Sequence, residues 1–191
     1  MQIIFASVSY RRVVAALRKI LFLFTILALT SKLCYAQNVV AGIEFGKTSY
    51  EEAAPKLIKK FGEPSYKKLN HAFTFKYVSY AGLMFDNICF FFENTEASNV
   101  LNQCGMYAVF DTEEDAADFR EKIVKKLGNK YNIETNNNPD SKITIKEYLV
   151  GTSPTNPSEP YITISTYKYN DSGSYVTGIV YGPFEYNDET F

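Results

Sequence analysis

Residues 111–128 place apolar side chains at helical spacing. The apolar face of that helix consists of Ala116, Phe119, Ile123 and Leu127. Asp111-Thr112-Glu113-Glu114 offers a capping residue with an acid three positions on. Lys125 and Lys126 suit the negative end of the helix dipole, and Gly128 is a common stop. The pattern therefore predicts a helix that ends at Gly128.

A similar segment lies 66 residues earlier, where Leu57-Ile58-Lys59-Lys60-Phe61-Gly62 matches Ile123-Val124-Lys125-Lys126-Leu127-Gly128. This earlier helix starts near Thr48–Glu52 but contains Pro55. Proline inside a helix removes a hydrogen bond and clashes with the preceding turn. We therefore expect either a short turn followed by a second helical piece from Pro55, or a kinked helix.

Alternating apolar and polar residues predict strands after each helix. Those after the first helix are His71–Ser79, Leu83–Glu93 and Cys104–Phe110; those after the second are Ile143–Val150, Tyr161–Tyr169 and Ser174–Tyr181, with a short strand at Tyr131–Thr135 also expected. The fold class predicted is α+β: a unit of one helix and three or four antiparallel strands occurs twice, at about 45–110 and 111–182, with the helices on one face of the sheet.

The segment that precedes the first helix resembles a known family. Gly42-Ile43-Glu44-Phe45-Gly46-Lys47-Thr48-Ser49, followed by Glu52, Leu57, Phe61-Gly62 and Pro64, is similar to the opening of the β-lactamase-inhibitory-protein-like superfamily. The inhibitor of that superfamily is a tandem duplication of a helix-and-sheet unit, and another member is a small lipoprotein of the bacterial outer-membrane assembly machine. The resemblance implies a non-enzymatic binding fold whose open sheet face contacts another protein.

The N-terminus reads as a cleavable secretory signal peptide over residues 1–36. A basic leader containing Arg11 and Arg18 precedes the ten-residue run Ile20–Leu29, and Cys34-Tyr35-Ala36 forms a small-residue cleavage site. The alternative, a membrane anchor, needs about twice that length of apolar chain. We therefore expect an exported domain over residues 37–191, periplasmic or secreted, and the sequence leaves open whether it associates with the cell envelope.

Cleavage changes the charge of the protein. The complete chain has 20 basic and 21 acidic residues, and the leader carries five basic residues and no acid, so the mature chain has a net charge of −6. Nucleic-acid binding draws its affinity from clustered Lys and Arg, and is therefore not expected. No second apolar run has spanning length, so no integral membrane segment is expected after cleavage. Nothing in the sequence sets an oligomeric state.

Two cysteines remain after cleavage, Cys89 and Cys104. An even number of cysteines in an exported chain predicts a disulfide. Folding the hairpin at the polar segment 94–99 places residue 89 opposite residue 104, at a spacing that a disulfide can bridge. The alternative is a pair of buried thiols that pack as small apolar side chains.

Residue patterns for catalysis are sparse. His71 is the only histidine, no G-x-S-x-G motif accompanies it, and one histidine with two separate cysteines does not form a zinc site. The acids between Asp111 and Asp118 are explained by helix capping, although paired carboxylates could also serve a small hydrolase. We expect no catalytic residue, no metal and no cofactor.

Aromatic strand residues are the remaining functional signal. In the predicted strand Tyr161, Tyr167 and Tyr169 occupy odd positions, and Ile162 and Ile164 occupy even ones, so the two sets point to opposite faces of the sheet. Tyrosines on the outer face suit a recognition surface. The leading hypothesis is thus an exported, non-catalytic module that binds another protein. A carboxylate-dependent hydrolase, and a carrier of a small apolar ligand in a pocket lined by Phe90 and Phe92, are the alternatives.

Cleavage after Ala36 gives the first prediction, since the small-residue site ends there. N-terminal sequencing of the exported protein should read Gln37-Asn38-Val39. A mature chain that retains Arg11 or Arg18 would contradict it.

Overall fold

The computed structural model describes residues 38–69, 71–94, 99–139, 143–169 and 173–186. The chain divides into two compact units, Met1–Val39 and Val40–Phe191. Almost all described residues belong to the second unit. The predicted signal peptide, residues 1–36, lies outside the described residues.

The elements alternate between helices and groups of antiparallel strands. In chain order they are β1 (Val39–Val40), β2 (Ile43–Glu44), α1 (Tyr50–Phe61), β3 (Tyr66–Lys68), β4 (Ala72–Tyr80), β5 (Leu83–Asn94), β6 (Asn99–Phe110), α2 (Glu113–Leu127), β7 (Ile133–Asn136), β8 (Thr144–Val150), β9 (Ile162–Lys168) and β10 (Tyr175–Tyr181). β1 and β2 pair with each other, and the other strands form one sheet in the order β3-β4-β5-β6-β10-β9-β8-β7. The predicted α+β class is confirmed.

Each helix is followed by four strands, and the two groups join where β6 pairs with β10. All pairings in the large sheet are antiparallel. This order is what a duplicated unit would produce. The duplication itself stays a prediction, which superposition of the two groups would test.

Helix α1 is one continuous helix with Pro55 inside it, so of the two predicted alternatives the separate helical piece from Pro55 is wrong. The Ser49 side chain caps its start by accepting a hydrogen bond from the Glu52 N–H at 3.2 Å. Pro55 faces solvent, while Ala53 and Leu57 on either side of it are buried. Packing of the buried face therefore maintains the helix where local propensity alone would break it.

Both helices pack on the same face of the sheet, as predicted. The ring of Tyr50 in α1 stacks on Phe73 of β4 with centroids 4.5 Å apart. In α2 the Ala116 carbonyl accepts a hydrogen bond of 2.9 Å from the Thr177 hydroxyl of β10. The strand pairings align Phe73, across β5 and β6, with Tyr181 of β10, so these two side chains lie on the same face of the sheet. Thr177 is four residues before Tyr181 in the same strand and therefore lies on that face as well. The apolar core fills the space between the helices and this face.

A bulge in the β5–β6 hairpin decides where the cysteines lie. Near the hairpin tip Phe92 pairs with Leu101, but Phe91 pairs with Gln103, so Asn102 is the extra residue on β6. Past the bulge the register differs by one from a simple fold-back. A shift of one residue moves a side chain to the other face of the sheet.

The predicted pairing of residue 89 with residue 104 is therefore wrong by one residue. Cys89 lies opposite Gly105, and both cysteines are free thiols. Cys104 is buried on the helix-covered face, whereas Cys89 is half-buried on the other face, where the Thr74 hydroxyl lies 3.5 Å from its Sγ. Burial raises the pKa of both thiols. They are consequently protonated and slow to react at neutral pH.

Thiol titration provides a direct check of this register. Protein that begins at Gln37, purified without reductant and then unfolded, should yield two titratable thiols per chain, because both cysteines among the described residues, Cys89 and Cys104, are free. In the native protein Cys89 should react before the fully buried Cys104, and Cys89→Ser should remove that earlier phase. Absence of free thiols in the unreduced, unfolded protein would contradict the register.

Candidate functional site

The second face of the large sheet is the candidate site. Because both helices lie on the first face, no helix among the described residues covers it. Its central positions follow from the strand pairings and are Asn87, Cys89, Gln103, Gly105, Tyr107, Val109, Thr163, Ser165, Tyr167, Val176, Gly178 and Val180. We call this surface the open face.

Tyr107 lies at the centre of the open face, with its ring against the sheet. A Cβ at Gly105 would lie 2.5 Å from the Tyr107 Oη, and a Cβ at Gly178 would lie 3.0 Å from its Cδ1. Any other residue at these two positions would push the ring away. The two glycines therefore provide the space in which Tyr107 is held.

Burial, with a smaller contribution from the proximity of Cys89 and Tyr167, raises the pKa of Tyr107 to about 12. The hydroxyl consequently stays protonated at neutral pH, where it can both donate and accept a hydrogen bond. A tyrosine of this kind suits recognition through ring area and one neutral polar group. It does not suit proton abstraction at neutral pH.

Of the three predicted recognition tyrosines, Tyr167 belongs to this surface and Tyr169 lies near it. Tyr167 pairs with Val176 and is half-buried, and burial, followed by the nearby Tyr169, raises its pKa. Tyr169 follows the last residue of β9 and is 52% exposed. The two side chains thus extend the aromatic surface from Tyr107 towards the end of β9.

Tyr161, the third predicted residue, is buried in the core and is not part of the open face. Its ring stacks on Phe184 with centroids 5.5 Å apart, and the rings of Tyr131 and Tyr181 pack against it. Tyr161 precedes the first residue of β9, so the alternation of that strand does not set its direction. Its hydroxyl makes no hydrogen bond within the described residues.

Comparison with protein-family models, with curated proteins and with solved structures finds no match. The resemblance to the β-lactamase-inhibitory-protein-like superfamily therefore stays a prediction. The open face has to be interpreted through its own residues.

The other residues singled out in the sequence take part in packing, main-chain hydrogen bonding or helix capping. Phe90 packs against Phe61 and Phe75, and Phe92 against Tyr50 and Phe73, so these rings fill the core instead of lining a pocket for an apolar ligand. The main chain of His71 bonds to Lys68 and Phe92. The Thr112 hydroxyl caps α2 by accepting from the Asp115 N–H at 3.1 Å. Across the described ranges, no three His, Cys, Asp or Glu side chains form a metal site.

The sequence did not single out Tyr107, although one signal pointed to it. Gly105 and Gly178 are isolated glycines within strand patterns, which often mark the close approach of another group. The sequence alone does not show that both glycines lie beneath one ring, because they belong to strands that are distant along the chain.

Within the described part of the chain, neither helix is long and apolar enough to cross a bilayer.

Tyr161→Phe should leave stability at pH 7 unchanged or higher, because burying a hydroxyl without a partner costs about 1–3 kcal/mol. Unfolded tyrosines lose their protons near pH ~10. Burial raises the pKa of Tyr161, Tyr181 and Tyr186 in the folded state. The folded state therefore binds more protons above that pH, and stability should fall as pH rises.

Urea unfolding followed by circular dichroism between pH 7 and about 11 measures this effect. The fall in the free energy of unfolding should be shallower in Tyr161→Phe than in the wild type, because one shifted group has been removed. The control Tyr66→Phe changes a tyrosine that is 55% exposed and should match the wild type. A steeper fall in Tyr161→Phe would contradict the prediction.

Proposed function

We propose that this protein is an exported, non-catalytic module that binds another protein through the open face. The observation that supports the proposal most strongly is the placement of Tyr107 on a sheet face that no described helix covers. Around it lie Tyr167, Tyr169, and the partly exposed apolar residues Phe91 and Val109, at 39% and 47% exposure.

The composition of this surface suits contact with a protein. Tyrosine is enriched where interfaces bury most area, since its ring is large and rigid and its hydroxyl finds a polar partner. The ring of Tyr107 is already held in place over Gly105 and Gly178. A side chain that is ordered before binding loses little conformational entropy on association, which favours affinity.

The chemistry at the centre of the surface also supports binding over catalysis. Its titratable groups are Cys89, Tyr107 and Tyr167, and burial raises the pKa of each. All three are therefore uncharged at neutral pH, where a nucleophile or a general base would have to be activated. The proposal includes export because residues 1–36 are predicted to be a signal peptide.

Replacing Tyr167 and Tyr169 together by Ser should weaken the interaction by about 2 kcal/mol or more, roughly a 30-fold rise in Kd, if these rings are central anchors. The partner is first captured from the secreted or envelope fraction by the wild-type chain, and its affinity for each variant is then measured. Tyr148→Ser, which removes a tyrosine from the helix-covered side of the sheet, where its hydroxyl donates a hydrogen bond to Glu121 of α2, is the control and should bind as the wild type does.

Photo-crosslinking locates the contact independently of these variants. A photoreactive residue at Val109, on the open face, should form an adduct with the partner. The same residue at Lys122, which is exposed on α2 at the other side of the sheet, should not. Adducts from Lys122 alone, or unchanged binding by the double tyrosine variant, would contradict the proposal.

A further inference from the structure

A polar cleft lies at the β7 edge of the sheet, with a volume of about 240 Å³. It is bordered by β7, by the end of β8 and by the loop between β8 and β9. Glu134 of β7 and Glu159 of the loop both line it. Leu149, which pairs with Glu134, lines it as well and pairs on its other side with Thr163 of the open face. The cleft therefore adjoins the open face but is separate from its tyrosines.

Hydrogen bonds within the loop hold the wall of the cleft in place. The buried Ser153 donates its N–H to the Glu159 carbonyl at 2.9 Å, and its hydroxyl oxygen accepts from the Asn156 N–H at 3.3 Å. The start of the loop is tied to the β7 side, because the Gly151 N–H donates to the Asn132 carbonyl at 3.0 Å. These bonds place Glu159 and the β7 side of the cleft in a defined arrangement before any ligand binds.

Both carboxylates are oriented without being neutralised. The Glu134 Oε1 accepts a hydrogen bond of 3.2 Å from the Asn132 amide, and the Glu159 Oε1 accepts one of 3.0 Å from the Asn156 amide. An amide is uncharged, so neither hydrogen bond places a counter-charge beside its carboxylate. No Lys, Arg or His lines the cleft, and in the described ranges neither carboxylate has an ion-pair partner.

We propose that this cleft binds the cationic group of an organic ligand, a guanidinium or an ammonium. Ordinary small-molecule sites measure about 300–1,000 Å³, so a cleft of about 240 Å³ suits one side chain of arginine or lysine size. Leu149 and Pro157 offer apolar contact to a methylene chain, while Glu134 and Glu159 accept hydrogen bonds from its charged end. A guanidinium, with five donors in one plane, suits this arrangement best.

Two other uses of the carboxylates fit the cleft less well. Calcium takes six to eight oxygen ligands, and only two carboxylates line this cleft. A general acid has to hold its proton at neutral pH, which requires a desolvated carboxyl group. Glu134 and Glu159 are both exposed to solvent. Recognition of a positive charge is the remaining chemistry, and it does not depend on the proposal for the open face.

Calorimetric titration of the purified protein with N-acetyl-arginine methylamide tests the proposal at low salt. N-acetyl-citrulline methylamide, which has nearly the same shape but no charge, should bind at least about tenfold more weakly, because it lacks the Coulomb attraction. NMR shift changes should be confined to residues 132–134 and 149–160. Equal binding of both compounds, or no binding of the arginine compound up to about 10 mM, would overturn the proposal.

The double variant Glu134→Gln/Glu159→Gln retains an acceptor for each Asn amide but removes both charges. It should bind the arginine compound at least about tenfold more weakly. Glu63→Gln/Glu114→Gln makes the same change in net charge at exposed sites away from the cleft and should bind as the wild type does. Equal loss in both double variants would overturn the proposal, and the citrulline comparison decides it even if a variant fails to fold.

The source of the cation is distinguished by two further titrations. Agmatine carries a guanidinium without any peptide group, and a blocked Gly-Gly-Arg-Gly-Gly peptide presents the same group as a protein would. Tighter binding of agmatine assigns the cleft to free organic cations. Tighter binding of the peptide assigns it to an arginine side chain of a bound protein. Failure of both to bind would overturn the proposal without bearing on the tyrosines of the open face.

Discussion

The pairing of β6 with β10 is the interaction on which the rest of this fold depends. It runs from Tyr175 opposite Phe110 to Tyr181 opposite Cys104 and joins two groups of four strands into one sheet. Without it each group would expose an edge strand and half of a core. Long-range backbone pairing of this kind is slow to form, because the loop-closure entropy is lost before the contacts are made.

The same pairing organises both faces of the sheet. On the covered face it places Thr177 where its hydroxyl reaches the Ala116 carbonyl of α2 and the Thr166 hydroxyl, 2.9 Å away. These bonds satisfy buried polar groups and thereby fix how the helix sits on the strands. On the open face the pairing sets Gly178 directly beside Tyr107, which allows the ring to lie against the sheet. A helix contact and the position of Tyr107 thus depend on one strand register.

The bulge at Asn102 is the second structural constraint. The Asn102 carbonyl accepts a hydrogen bond of 3.0 Å from the Phe184 N–H, so the segment after β10 is attached at the bulge. Phe184 in turn covers Tyr161 and Phe45. One extra residue in β6 therefore separates the cysteines onto opposite faces and also anchors the segment that buries Tyr161.

The two candidate sites have different physical characters. The centre of the open face is uncharged, because burial keeps its tyrosine and cysteine side chains protonated. The neighbouring cleft carries two carboxylates without a basic partner among its lining residues. Apolar contact supplies affinity, whereas charge supplies orientation and selectivity. A protein that contacted both would bring an apolar surface with a basic residue at its edge.

The sequence by itself determined the features that depend on local periodicity. The 3.6-residue pattern and caps of 111–128 predicted α2, and strand alternation placed Ile162 and Ile164 on the face opposite to Tyr167, where the structure buries them. Tertiary structure alone decided which distant residues meet. The bulge, the burial of Tyr161, the glycines beneath Tyr107 and the cleft that Glu134 and Glu159 both line all arise from contacts between different elements. A one-dimensional pattern records the direction of a side chain within its own element, but the register between elements is set by how the whole core packs.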